Sequence, residues 1–432
     1  MESTIPENTL TNWKKRFFTI WTGQAFSQIG SRLVGFAFVW HLTTTTGSAT
    51  VLAIASLMSI LPDVIISPIA GVLIDRWNRR TVLIVTDLLT ALLTLILALL
   101  FAFTNVQLWQ IYIVLFIRAI FGAFQWPAML TSTSMMVPKD QLSRVSGMNQ
   151  TMSGVMGILA PPLGAFLVAL IPMWGVLMVD VGTALIAVIP LFFFKIPQPQ
   201  RKVDEVNPDA KVKITLWKDL VEGFKYVITL PGLLAIILTA MLINFLLGPA
   251  FNLMPILVTE YFQKGVIELG VGEAIFSIGF LAGGLILSIW GGFKNRLFTT
   301  MFFMIIMGIS IALVGFVPPN SFYLAMSMLG IAGIANPLVD GPLMAAMQSR
   351  VDPTKQGRVF TLLHSGASLA MPIGLAIAGP LSDKVGIQIW FIAGGVACII
   401  AAILSLLNKN VMGLGLVPEI TEVEPTLAVS EA

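Results

Sequence analysis

The sequence predicts an all-α membrane protein, with twelve transmembrane helices arranged as two pseudo-symmetric six-helix bundles. Three features predict it: scarce charge, a series of apolar segments long enough to cross a bilayer, and lopsided placement of the basic residues. Only 11% of the 432 residues are charged, and 56% are hydrophobic. A soluble domain carries about 25% charged residues to clothe its surface, so most of this surface faces lipid. The 37 glycines and 21 methionines suit that setting. Small residues let membrane helices approach, and methionine fills irregular gaps.

A bilayer core takes about 20 apolar residues of helix. Such segments fall at 17–42, 49–71, 81–103, 108–130, 145–170 and 175–195, then at 232–258, 270–292, 297–317, 321–347, 359–381 and 387–408. The expected organisation is a cytoplasmic segment at 1–16, a bundle at 17–195, a cytoplasmic linker at 196–231, a second bundle at 232–408 and a disordered acidic tail at 409–432. Within the linker, 216–227 has the helical apolar spacing of a segment lying on the membrane surface. The first sixteen residues are polar and the first apolar stretch is longer than a signal-peptide core, so the first helix itself directs insertion.

Lysine and arginine set the orientation. With the N-terminus in the cytoplasm, 21 of the 25 basic residues lie on the cytoplasmic side. Arg32 and Arg118 fall inside spans, and Lys264 and Lys384 lie outside the cell. The same asymmetry supports an even helix count and puts both termini in the cytoplasm. The halves also repeat. Pro138-x-x-Gln141 followed by Arg144-Val145 returns as Pro353-x-x-Gln356 followed by Arg358-Val359. Arg80 returns as Arg296 and Gln28 as Asn244, each about 215 residues on, as a duplicated six-helix unit requires.

Between the second and third spans stands GVLIDRWNRR, Gly71 to Arg80. Here Gly71 permits close helix packing, Asp75 offers a carboxylate, and Arg76, Arg79 and Arg80 hold the loop in the cytoplasm. The fourth span carries VLFIRAIFGAF (114–124), an arginine followed four residues later by glycine. The fifth carries APPLGA (160–165), with Pro161, Pro162 and Gly164. Together these resemble the signature loop, the helix-4 arginine motif and the helix-5 antiporter motif of the major facilitator superfamily. Over nearly its full length the chain looks most like the drug:proton antiporter branch that contains bacterial macrolide-efflux proteins, through FFTIWTGQAFS (17–27) and SLAMPIGL (368–375) as well. It departs from the pattern at Asn78, where the family has a second glycine, and at both outer positions of the helix-5 motif, which are alanine. The second departure weakens the export inference. The second half keeps only WGGFKNR (290–296), with Gly291 in the acid's place.

The resemblance implies a major facilitator fold in a bacterial plasma membrane, with helices 1, 4, 7 and 10 lining a central cavity. It implies secondary active transport by alternating access: proton-coupled efflux of bulky amphipathic compounds, macrolide-like or multidrug. It further implies that Asp75 meets the N-terminus of helix 11 near Arg358 as a gate, and that Arg118 couples through a neighbouring acid.

An ionisable residue deep in a span costs about 2.5–3.5 kcal/mol on insertion scales, so it faces a cavity or a partner. Arg32, Asp63, Asp87, Arg118, Asp180 and Asp340 are the coupling candidates on this criterion. Asp87 and Arg118 are a possible pair on consecutive helices, and Arg32 with Asp63 reads equally as a site or a structural pair. Asp180 opens helix 6, which favours a helix-terminal structural role. Asp340 is the candidate for protonation. His364, in helix 11, reads as a hydrogen-bonded structural residue or a titrating one. Polar residues at helical spacing on helices 1, 4, 7 and 10 make Gln24, Gln28, Phe121, Gln125, Asn244, Asn252 and Asn336 the substrate-cavity candidates.

Much other chemistry has no footing here. A single cysteine, Cys398, leaves no internal disulfide or cysteine cluster. There is no phosphate loop, no nucleophilic triad, and no metal or cofactor site, so the chain reads as no enzyme. An ion gradient is the remaining driver. One proton crossing about 150 mV is worth roughly 3.5 kcal/mol, enough for a few-hundred-fold substrate gradient. Sodium is the alternative ion. The expected partners are a small-molecule substrate, protons and the lipid bilayer, with no nucleic acid, and the chain is expected to be a monomer. Two rival readings stand beside efflux: an exporter or flippase of a lipid or siderophore, and a membrane receptor or sensor that transports nothing.

Overall fold

The computed structural model describes residues 13–138, 141–194, 196, 225–351 and 355–415. Twelve long helices account for most of them. The first half holds α1 (Trp13–Thr46), α2 (Ala49–Arg76), α3 (Arg79–Phe103), α4 (Leu108–Met136), α5 (Leu142–Leu170) and α6 (Met173–Phe193). The second holds α7 (Leu233–Asn252), α8 (Val266–Trp290), α9 (Arg296–Phe316), α10 (Phe322–Arg350), α11 (Gln356–Val385) and α12 (Gln388–Leu407). Eleven of them contain a stretch long and apolar enough to cross a membrane. The other is α1, where Gln24, Ser27, Gln28, Ser31 and Arg32 interrupt the apolar run.

Local chemistry explains the helix ends. Ser48 caps α2, accepting from the Val51 N–H. Asn78 and Asn295 cap α3 and α9, each accepting from two amides of the following turn. These repeat-related asparagines satisfy orphan N–H groups that apolar residues would leave bare. The seventh predicted span, 232–258, is not one helix. It breaks at Leu253, between Pro249 and Pro255, and resumes as Met254–Ile256 and a π-helical turn, Leu257–Tyr261. Proline removes a helix hydrogen bond and clashes with the preceding turn. The expected tail from 409 also begins differently: Lys409–Leu414 is a short helix, α13, with Val411 buried. The remainder of the tail, residues 1–12 and most of the linker lie outside the described residues, although 13–16 belong to α1 and 225–229 are helical.

The two halves pack by the same scheme. In the first, α1 meets α5 and α6, α3 meets α4 and α6, and α2 meets α4. In the second, α7 meets α11 and α12, α9 meets α10 and α12, and α8 meets α10. Adding six to each helix number converts one set into the other. Between the halves, α2 lies on α11 and α5 on α8, a pair of contacts that the same exchange interchanges. The chain is thus two pseudo-symmetric six-helix bundles.

The first bundle's core has two apolar clusters, one around Phe17, Ile20, Leu83 and Met129, the other around Val34, Phe38, Leu97 and Leu177. A buried polar layer separates them. The second bundle has one continuous core around Phe391, Leu329, Met304 and Leu375. There α8 and α10 touch backbone to backbone: a Cβ added at Gly279 or Gly283 would strike the Gly330 or Ile334 carbonyl. A valine at Gly283 must force the helices apart, an overpacking cost of about 1–3 kcal/mol. Gly283→Val is expected to cut the yield of monodisperse protein after detergent extraction several-fold. A wild-type gel-filtration profile would contradict the close-packing account.

Candidate substrate cleft and coupling network

The polar layer of the first bundle is built on two acids. Asp87, buried on α3, accepts from Gln24 Nε2 at 2.7 Å, Gln125 Nε2 at 2.6 Å and Ser27 at 3.3 Å. Asp180, buried on α6, pairs with Arg118 at 2.6 Å and accepts from Ser31 and Thr94, both at 3.1 Å. Arg118 also reaches Thr94 and Ser31. The Asp180 cluster therefore ties α1, α3, α4 and α6 together. A buried charge survives only when paired and hydrogen-bonded, and this arrangement supplies both.

Two expectations change here. Arg118 pairs with Asp180, not Asp87. Asp180 does not open a helix, because α6 begins at Met173 and places it in the second turn. Asp180 is buried in the bundle core opposite Arg118. Gln24 is also turned into that core, held by Asp87, so the polar stripe of α1 divides. Its remaining residues face the gap between the bundles: Gln28, Ser31 and Arg32, with Ser27 and Gln125, line a recess of about 250 Å³. No ion pair joins Arg32 to Asp63 among the described residues. Asp63 is exposed and accepts from Ser67 on its own helix at 3.0 Å.

The second bundle faces the gap with a cavity of about 340 Å³. Asn244, Asn252, Asn336 and Asp340 line it among Phe251, Phe276, Met301, Met304 and Met371. Asn244 and Asn252 each donate to the carbonyl four residues back, at 2.9 and 2.8 Å, leaving their amide oxygens for a ligand. A third recess, of about 410 Å³, adjoins both, sharing Arg32 with the first and Phe251 and Phe276 with the second. Gln28 and its repeat mate Asn244 thus stand on opposite walls of one cleft. Its size and its few polar groups on apolar walls are those of a small-molecule site.

The cleft is closed at the face distal to the described chain ends. Gly379 of α11 packs on Thr50 and Ala53 of α2, and Gly270 of α8 on Pro161 and Ala165 of α5. Asp383, near the end of α11, takes the Ala49 and Thr50 amides at the start of α2 at 2.6 and 3.1 Å, and the Ser48 hydroxyl at 2.9 Å. The carboxylate caps a helix of the other bundle, using the free amides and positive end of that helix.

Other expected site residues fall elsewhere. Phe121 lines a groove between α3 and α4 with Trp77, Val85 and Leu89 rather than the central cleft, although it lies only one turn from Gln125 on nearly the same side of α4. Among the described residues nothing stands within 4 Å of a Cβ at Gly71, so none of them requires a glycine there. Arg79 is buried, and Arg80 donates to the Leu191 and Phe192 carbonyls, capping the end of α6 as well as marking a loop. Gly164 packs against Phe36, and Pro161 and Pro162 lie inside α5, Pro161 at its contact with α8. The side chains of Asp75, Arg76, Arg358 and His364 lie outside the described residues.

Two residues, one lining the cleft and one at its closed face, escaped sequence reasoning. Glu273 stands inside the predicted eighth span, where the criterion that selects the other embedded acids also selects it. Asp383 lay beyond the expected end of helix 11 at 381, and only the continuation of α11 to Val385 reveals its reach.

The profile of the Major Facilitator Superfamily matches residues 20–363 and 233–422, covering both bundles. The chain belongs to the major facilitator superfamily. It is a multi-pass membrane transporter of that family. It is 33% identical over 405 residues to Macrolide efflux protein A of Streptococcus pyogenes, spanning 94% of this chain and 98% of that one. It is 26% identical over 379 residues to the multidrug efflux pump Tap of Mycolicibacterium fortuitum, spanning 84% and 88%. Among solved structures, it is similar to a bacterial homologue of the human lysosomal transporter Spinster in an inward-facing, unoccupied conformation. That match has a TM-score of 0.66 and 14% identity, and covers 94% of this chain and 97% of the other. The inward-open xylose transporter XylE from E. coli aligns at TM-score 0.64 with 13% identity, over 92% and 96%. Those structural likenesses concern the superfamily fold.

Proposed function

We propose that this transporter expels bulky amphipathic compounds of the macrolide class from a bacterial cytoplasm in exchange for protons. The observation that carries the reading is the cleft, a set of adjoining recesses with Phe and Met walls and sparse Gln, Asn and Asp groups. The extent of its likeness to Macrolide efflux protein A supports the substrate class. With the termini in the cytoplasm, as the basic residues favour, the cleft is open inward and shut outward. Gln28, Asn244, Asn252 and Asn336 contact substrate, while Asp340 carries the proton. Asp75 serves as the cytoplasmic gate when the bundles rock to the outward-open state.

Cells expressing the protein are expected to accumulate several-fold less radiolabelled erythromycin than vector controls, and an uncoupler should abolish the difference. Equal accumulation with and without the protein would sink the efflux reading. Asp75→Asn is expected to cut that export at least tenfold while membrane insertion, followed by immunoblot of the membrane fraction, stays normal. Full export by this variant would remove the gate role.

A further inference from the structure

The embedded acids are not alike in their partners. Asp87 has three side-chain donors and Asp180 has an arginine and two hydroxyls. Asp63 has Ser67, and Asp383 has the start of α2. Glu273 accepts no hydrogen bond and joins no ion pair among the described residues. It sits well inside α8, and its side chain lines the recess between the bundles. Arg32, on α1 of the other bundle, lines the same recess and is likewise without a hydrogen bond or ion pair among the described residues. Around them stand Phe36, Phe251, Phe276 and Met156.

A carboxylate left without a donor in an apolar space is costly unless a ligand supplies the missing charge. Aromatic faces and thioether sulfur beside it favour an organic cation over a metal ion, through cation–π attraction and apolar contact. The opposite wall offers a guanidinium with five donors and no acceptor, which suits neutral oxygen acceptors and repels a second cation. We propose that Glu273 is the docking carboxylate for the ammonium of an amphipathic amine, whose carbonyl, ether or hydroxyl oxygens are taken by Arg32. This deepens the efflux reading by assigning a recognition group to the cleft, and it rests on that reading only for the choice of probe.

The test measures equilibrium binding to purified full-length protein in nanodiscs, using erythromycin, which carries a tertiary amine, and its neutral N-demethyl-N-acetyl amide. Wild-type protein should prefer the amine at least tenfold. Glu273→Gln should erase that preference by weakening the amine alone, and Arg32→Gln should weaken both ligands. Equal wild-type affinity for amine and amide would overturn the assignment, as would no saturable binding of the amine. Equal loss of both ligands in Glu273→Gln, or wild-type amine affinity in that variant, would overturn it too. The wild-type comparison holds even if a variant fails to fold. Binding is read apart from transport, so cells that export nothing would sink the efflux reading and leave this site standing, and the reverse is equally legible.

Discussion

Asp180→Ala is expected to be the most damaging single substitution in the first bundle. It strands Arg118 in the polar layer between two apolar clusters and removes the acceptor shared by Ser31 and Thr94. Breaking one side of a buried pair costs about 3–5 kcal/mol, since the surviving charge keeps its desolvation cost and loses its attraction. For a unit of this bundle's size that corresponds to a fall in Tm on the order of 10 °C. Tryptophan-fluorescence melts of detergent-solubilised protein would measure it. The double variant Arg118→Met/Asp180→Leu should recover most of the loss, because it leaves no unpaired charge. A double variant as unstable as the single one would show that the network stabilises the fold by more than mutual charge neutralisation.

Asp383→Ala should change the conformational balance rather than the folding of either bundle. The carboxylate of α11 caps α2 across the interface, at the face where the cleft is closed. Removing a helix cap costs about 0.5–2 kcal/mol. Here that loss falls on the one arrangement in which the helix ends meet, so the closed-to-open ratio at this face should drop by about 2- to 30-fold. Spin labels at the exposed Thr44 and Lys384 would report the separation of the bundles by pulsed EPR. Cys398 is fully buried and would not compete for label. A longer-distance population should rise in Asp383→Ala. An unchanged distance distribution would show that glycine packing of Gly379 on Ala53 holds the face shut without the acid.

Much of this was legible beforehand. Eleven spans announce themselves by apolar length alone, and α1 is found by its polar stripe as much as by its apolar residues. The internal repeat survives as two bundles with interchangeable packing. The residues that line the cleft, Gln28, Asn244, Asn252, Asn336 and Asp340, come from helical spacing of polar groups on an apolar background. Partner choice was not legible. From sequence, Asp87 on the neighbouring helix is as good a match for Arg118 as Asp180 two helices on, and nothing local favours the latter. Phe121 and Gln125 read as one face of α4, yet they serve different spaces.

The sequence alone determined that lipid surrounds the chain and where its helices cross it, because transfer free energy depends on residue composition averaged over whole segments. Only the tertiary structure decided which acid meets which cation, that Glu273 meets none among the described residues, and that Asp383 reaches α2. Pairing depends on side chains from distant helices arriving within about 3 Å, and a rotation of half a turn in one helix, invisible to periodicity, changes every partner.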